Sequence, residues 1–205
     1  MIRVGIDEVG RGPLAGPVFA AAVHLPRAIA GIADSKTLAP ARREALASLI
    51  RDEACWALGA ASVAEIDRLN ILRASHLAMR RAMRRLVLLL PAEPDEVLVD
   101  GPLDPGLGCA TSCPTRCIVG GDATVPEIGA ASIIAKVARD RLLARLGRRH
   151  PAYGFERHAG YPTAAHRAAL ALVGACAHHR RSFAPVRLVL EAASTRSMTE
   201  SGAAQ

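Results

Sequence analysis

A strand that ends in two adjacent carboxylates and leads into a glycine turn constrains this chain more than any other feature. Residues 2–7 form a short apolar run that closes on Asp7 and Glu8, and Gly10, Arg11 and Gly12 come just after. The Gly12-Pro13 and Gly16-Pro17 pairs mark a turn before a second apolar run at 17–25. Such a strand carries acids to its own C-terminal edge. The glycines leave backbone amides bare, and together they suit a metal ion held beside a phosphate.

The rest of the pattern extends this start into an α/β fold. Residues 54–63 read as a third strand, completing an antiparallel meander, and 40–52 as a helix with Ala45, Leu46, Leu49 and Ile50 at helical spacing. One long helix is expected over 65–90, with Ile66, Leu69, Leu72, Met79, Met83, Leu86 and Leu90 on one side. Its Arg73, Arg80 and Arg84 stripe reads as a solvated face. Strands follow at 96–100 and 116–120. Thr124 to Glu127 has the form of a capping box opening an Ala/Ile-rich helix to about Gly147. Helices near 163–173 and 185–193 close the pattern. A mixed sheet with helices on both faces results, with a C-terminal helical subdomain. The expected division is a core at 1–150, the subdomain at 151–193, and a disordered tail at 194–205.

Charge points to a polyanionic partner. The 205 residues carry a net charge of +7 and a pI near 9.8. From Lys136 to Arg187 there are eleven Lys or Arg against two acids, Asp140 and Glu156, so this stretch alone exceeds the net charge of the whole chain. Only two of the 26 basic residues are lysine, Lys36 and Lys136, which marks places where a compact ammonium serves better than a guanidinium. No apolar run is long enough to span a bilayer. With five cysteines and no secretory signal, reduced thiols and a cytoplasmic location are expected.

The acids come together on paper. Asp7 ends the first strand with Glu8 beside it, Asp100 ends a later strand, and Asp140 lies one turn after Lys136 on an Ala/Ile-rich helix. Any one of them is more simply a cap or a surface charge. Four converging at a sheet edge would repel unless cations neutralised them, and hard oxygen ligands select Mg²⁺ or Mn²⁺.

These residues lie in longer motifs. Asp7-Glu8-Val9-Gly10-Arg11-Gly12-Pro13-Leu14-Ala15-Gly16-Pro17-Val18 resembles the opening motif of type 2 ribonuclease H, or ribonuclease HII. The resemblance continues through Asp34-Ser35-Lys36-Thr37-Leu38, Asn70-Ile71-Leu72, Ala78-Met79 and Ala82-Met83. It resumes at Val99-Asp100-Gly101, Gly121-Asp122 and Ala130 to Asp140, then at His150 to His158, Gly160-Tyr161-Pro162-Thr163 and His179 to Val186. Ordered motifs over nearly the whole chain are far more specific than a lone glycine pattern.

The resemblance implies a ribonuclease H-like mixed sheet and a metal-dependent endoribonuclease. Its substrates would be the RNA strand of RNA–DNA hybrids and ribonucleotides embedded in duplex DNA. In-line attack by water would expel the 3′ oxygen, leaving 5′-phosphate and 3′-hydroxyl ends. Asp7, Glu8, Asp100 and Asp140 correspond to the metal-binding carboxylates, and Gly10, Arg11 and Gly12 to the turn that reads the ribose 2′-hydroxyl. Tyr161 matches the tyrosine that packs on the following sugar, while Lys36 and Lys136 are candidate phosphate contacts. Lys136 has the further option of neutralising the acids. A monomer is expected, with no membrane partner.

The chain departs from the family pattern at four places. Glu127 replaces a small hydroxyl residue and adds a negative charge, and Gly129 stands for a common alanine. Ala159 and Gly120 stand where basic residues are frequent. Cys109, Cys113 and Cys117 recur every four residues but miss the usual zinc spacing, so a structural role is favoured. The His178-His179 pair reads as part of the basic C-terminal motif. Two rivals remain: a ribonuclease HIII-like hybrid nuclease, disfavoured by the Gly-Arg-Gly turn and Tyr161, and a non-catalytic nucleic-acid-binding module, which would not need four acids.

Overall fold

A computed structural model of the chain describes residues 1–32 and 38–202. Among them, five strands make one mixed sheet in the order β3-β2-β1-β4-β5. The strands are β1 (Arg3–Val9), β2 (Val18–His24), β3 (Cys55–Ala61), β4 (Glu96–Asp100) and β5 (Thr115–Ile118). β1 to β3 form the expected antiparallel meander, and β4 adds parallel to β1 in the register Arg3 to Glu96 through Ile6 to Val99. One further step along that register sets Asp7 beside Asp100. The two acids therefore meet where β4 ends, two residues before the end of β1.

Helices cover both faces. On one lie α2 (Val63–Leu69) and α3 (Ile71–Val87), whose Ile66, Ala78, Met79, Met83 and Leu86 bury against Val4, Ile6, Val97 and Val99. On the other, α1 (Pro40–Glu53) and α5 (Pro126–Arg149) bury Leu46, Ile50, Ile133 and Ile134 against Ala21 and Val23. The approach is close on both sides. A Cβ on Gly5 would fall 2.1 Å from the Glu127 carbonyl carbon, and one on Gly59 would fall 2.0 Å from the Ala78 oxygen. Each glycine thus lets a helix backbone rest on the sheet.

Three expectations need correction. The single helix over 65–90 is two helices broken at Asn70, whose φ is 70°. The Asn70 N–H ends α2 on the Ile66 carbonyl, while its side chain accepts from the Arg73 amide at 3.1 Å and starts α3. Nor does Thr124 cap α5. It closes the short α4 (Gly121–Thr124), Val125 takes the cap position without a side-chain bond, and Glu127 pairs with Arg3 at 3.1 Å. The capping box lies instead at Ser62 and Glu65.

The third correction concerns the C-terminus. After α6 (Phe155–His158) and α7 (Ala164–Val173), the last helix α8 (Ala184–Gly202) continues past residue 193, into the stretch expected to be disordered. Ser194 and Thr195 donate their hydroxyls to the Leu190 and Glu191 carbonyls, both at 3.0 Å, so these polar side chains are satisfied within the helix.

The C-terminal segment is stitched to the loop after β1. Leu14 N–H bonds the Gly160 carbonyl at 2.8 Å, Gly16 N–H the His178 carbonyl at 2.9 Å, and Arg180 N–H the Leu14 carbonyl at 2.8 Å. Those bonds bring Tyr161 and the Gly10–Gly12 turn to the same end of the sheet as the acids.

Candidate active site

Alternation along β1 splits its two acids between the faces. Asp7 follows Gly5 toward α5, where its carboxylate accepts from the Ser132 hydroxyl. Glu8 turns toward α3 and lines a cavity of about 140 Å³ with Arg11, Leu72, Ser75, His76, Met79 and Asp100. Asp100 Oδ1 accepts the Gly121 amide at 2.8 Å and the Asp122 amide at 3.4 Å. A larger cavity, about 450 Å³, lies around Tyr153, Arg157 and Thr163 and includes none of the four acids. Volume and chemistry are separate here.

The three strand-end acids feel one another. Burial raises the pKa of Asp7 well above its usual 3.8, and the charges of Glu8 and Asp100 add to this against the Ser132 hydrogen bond. Glu8 is also raised, first by burial. The Arg11 guanidinium opposes that shift from 3.3 Å away, while Asp100 reinforces it. The protein's own groups thus leave this negative charge undercompensated.

Asp140 behaves differently. It lies on α5 between Lys136 Nζ at 2.8 Å and Arg43 Nη1 at 3.3 Å. Among the described residues, no group of three or more His, Cys, Asp or Glu is set to hold a metal ion. The donor chemistry suits a hard divalent cation: all-oxygen ligands, like charges in contact, and raised pKa values. Asp7, Glu8 and Asp100 feel one another's charge, while Asp140 is engaged in ion pairs with Lys136 and Arg43.

Lys136 lies against Asp140 in an ion pair. Lys36, with Asp34 and Ser35, lies outside the described residues. Glu127 adds no uncompensated charge, because Arg3 pairs with it. Gly120 has φ 68° and Ala159 φ 48°, so both departures occupy left-handed turns, and the Ala159 carbonyl accepts from Arg139 at 2.9 Å. Gly129 is buried within α5. Cys109 and Cys117 are exposed and Cys113 packs against the core, and all three are free thiols.

Tyr161 is 40% exposed, and its ring lies 3.5 Å from where a Gly12 Cβ would stand. Its backbone is fixed by two buried histidines, His166, which the sequence analysis did not single out, and His179, which it placed in the basic C-terminal motif. Cys176 N–H donates to His179 Nδ1 at 3.0 Å, so the His179 proton sits on Nε2. That proton points at His166 Nε2 3.1 Å away, which leaves the His166 proton on Nδ1, donated to the Tyr161 carbonyl at 2.9 Å. Both rings are neutral. Burial, with each ring's neighbours, lowers His166 and takes His179 down to about 4.

Other residues missed from sequence include Ser132, Arg43, Arg139 and Arg180. Ser132 had a signal: 132, 136 and 140 repeat at helical spacing and share a face. Arg43 had none, being 97 residues from its partner Asp140.

The family model for ribonuclease HII matches residues 4–186. The chain belongs to the ribonuclease HII family. It is 57% identical over 190 residues to ribonuclease HII of Maricaulis maris, covering 91% of this chain and 84% of that one. The crystal structure of ribonuclease H2 from Pyrococcus horikoshii superposes with a TM-score of 0.76 at 26% identity, covering 93% of this chain and 98% of the other. The structure of Bst ribonuclease HIII in complex with Mn²⁺ shares the fold, with a TM-score of 0.74 at 22% identity over 94% of this chain and 70% of that one. The chain is accordingly a ribonuclease H hydrolase, an endoribonuclease of RNA–DNA hybrids. The mixed sheet flanked by helices is the fold shared with these structures. No described helix is long and apolar enough to cross a membrane.

Proposed function

We propose that this endoribonuclease also cuts on the 5′ side of single ribonucleotides embedded in duplex DNA, using Mg²⁺ or Mn²⁺ and leaving 5′-phosphate and 3′-hydroxyl ends. A role in clearing ribonucleotides from DNA follows. The observation that carries the reading is one juxtaposition: buried Asp7 and half-buried Glu8 and Asp100, whose charges repel, stand beside a turn that exposes Arg11 and Gly12, with Tyr161 against Gly12.

A bound divalent ion would supply Lewis-acid activation of water and stabilise the leaving oxygen. Asp7, Glu8 and Asp100 would hold it, and Asp140 would join once Lys136 and Arg43 turn to substrate phosphates. Ser132 keeps the Asp7 carboxylate oriented. Arg11 is half exposed, and moving from Glu8 to a phosphate would free Glu8 for the ion. The amides of the turn would read the 2′-hydroxyl, and the Tyr161 ring would pack on the next sugar. The Mn²⁺ complex of the HIII structure supports the choice of ion.

The test is cleavage of a DNA duplex carrying one ribonucleotide, and of an RNA–DNA hybrid, with and without Mg²⁺. Cutting of both only with the ion, 5′ of the ribonucleotide, is expected. Cutting of the hybrid alone would make the chain HIII-like in activity, and binding without cutting would make it a recognition module.

A further inference from the structure

Two arginines, Arg139 and Arg180, are fully buried, and among the described residues neither pairs with a carboxylate. Backbone carbonyls take their donors instead. Arg139 bonds the Ala15, Pro17 and Ala159 oxygens at 2.9, 3.1 and 2.9 Å. Arg180 bonds Gly10 O at 2.6 Å through Nη2, Arg11 O at 2.9 Å through Nη1 and Gly16 O at 2.9 Å through Nε.

The Arg180 contacts have a geometric consequence. In a trans peptide the C=O of one residue and the N–H of the next point in opposite directions, and no described peptide bond is cis. Drawing the Gly10 and Arg11 carbonyls inward onto Arg180 therefore turns the Arg11 and Gly12 amides outward. Both residues are exposed, and no backbone carbonyl among the described residues takes either amide. A cation on each carbonyl also polarises its peptide unit and strengthens the donor at the far side.

We infer that Arg180 is the positioning residue that aims the Arg11 and Gly12 amides at the substrate ribose, and so sets the preference for ribose over deoxyribose. This rests on the function proposed above. Arginine is required because three carbonyls spread over a turn need a planar fork, where a lysine ammonium offers a single point. Gly10 completes the fit. Its φ is +96°, and a Cβ there would stand 2.2 Å from Arg139 Nε, so the loop can settle onto the two guanidiniums only with glycine at this position.

The experiment measures binding in Ca²⁺ of a duplex with one ribonucleotide against the same duplex in all-deoxy form. Wild type should prefer the ribonucleotide duplex; absence of that preference would overturn the proposed function rather than this inference. Arg180→Lys should lose about tenfold of the preference while keeping its affinity for the all-deoxy duplex. Arg180→Ala should regain part of the preference in millimolar guanidinium and none in ammonium. Leu146→Ala, a core change on α5, should lower the unfolding midpoint and leave the preference intact. A folded Arg180→Lys with wild-type preference, or an equal loss on both duplexes, overturns the inference. So does a wild-type protein whose Arg11 and Gly12 amide resonances ignore the ribonucleotide duplex, whatever the variants do.

Discussion

Two charged clusters of opposite sign flank the Gly10–Gly12 turn, and they are compensated in different ways. On the sheet edge, Asp7, Glu8 and Asp100 repel one another and push the Asp7 and Glu8 pKa values up. Beneath the turn, Arg139 and Arg180 are fully buried, and burial lowers them to about 10 and about 9, yet every guanidinium nitrogen bonds a backbone carbonyl. Both guanidiniums stay charged at neutral pH. The cations are thus completed from within and shape the turn, whereas the repulsion among the acids is relieved, on the function proposed above, by a divalent ion. Burial alone does not distinguish the two; the sign and compensation of the neighbouring charges do.

If that contrast is right, neutralising an acid should cost activity and spare the fold. Asp7→Asn should reduce cleavage by about a thousandfold or more, roughly 4 kcal/mol of barrier. Its unfolding midpoint without divalent ions should hold or rise. A midpoint that collapsed would make Asp7 a structural residue like Arg139.

The opposite outcome is expected beneath the turn. Arg139→Met leaves three carbonyls without donors and should cost about 3 kcal/mol of stability in denaturant unfolding. Activity per folded molecule should fall far less than in Asp7→Asn. A variant of full stability would show that those carbonyls find water instead.

Tyr161→Ala should weaken cutting at a single ribonucleotide about tenfold, on the scale of a lost stacking contact, with a smaller effect on long hybrids. Kinetics on the two substrates would show it. Equal losses on both would place the ring outside the subsite beside Gly12.

The smallest effect is in pH. Asp7 and Glu8 are raised in the folded chain above their ordinary 3.8 and 4.5, so folded protein keeps protons that unfolded protein releases. Their ionisation is a penalty at neutral pH. It shrinks as pH falls through the raised folded values and vanishes below the ordinary ones. Asp7→Asn minus wild type should therefore show a stability gain at neutral pH that fades on acidification, and Mg²⁺ should shrink it by stabilising only the wild type. The comparison between variants is needed because His179, lowered to about 4 from 6.5, loses stability over 6.5 to 4 in both.

Much of the fold was legible because its signals are local. Alternation, helical spacing and the Gly-Pro turns located all five strands, and the strand-end positions of Asp7 and Asp100 followed from them. Local rules also misled where two signals competed. The apolar stripe over 65–90 hid the break at Asn70, and Thr124 with Glu127 imitated a cap that Ser62 and Glu65 actually form.

The sequence by itself determined the family and put the acids, the turn and Tyr161 forward as candidates, since those reside in residue types and short spacings. Tertiary structure alone decided the partners. Arg180 reaches Gly10 from 170 residues away, His166 meets His179 across a loop, and Asp140 is held by Arg43 from another helix. No periodicity encodes such meetings. They arise because buried polar groups must find hydrogen bonds wherever the packed chain brings them, and that place exists only after folding.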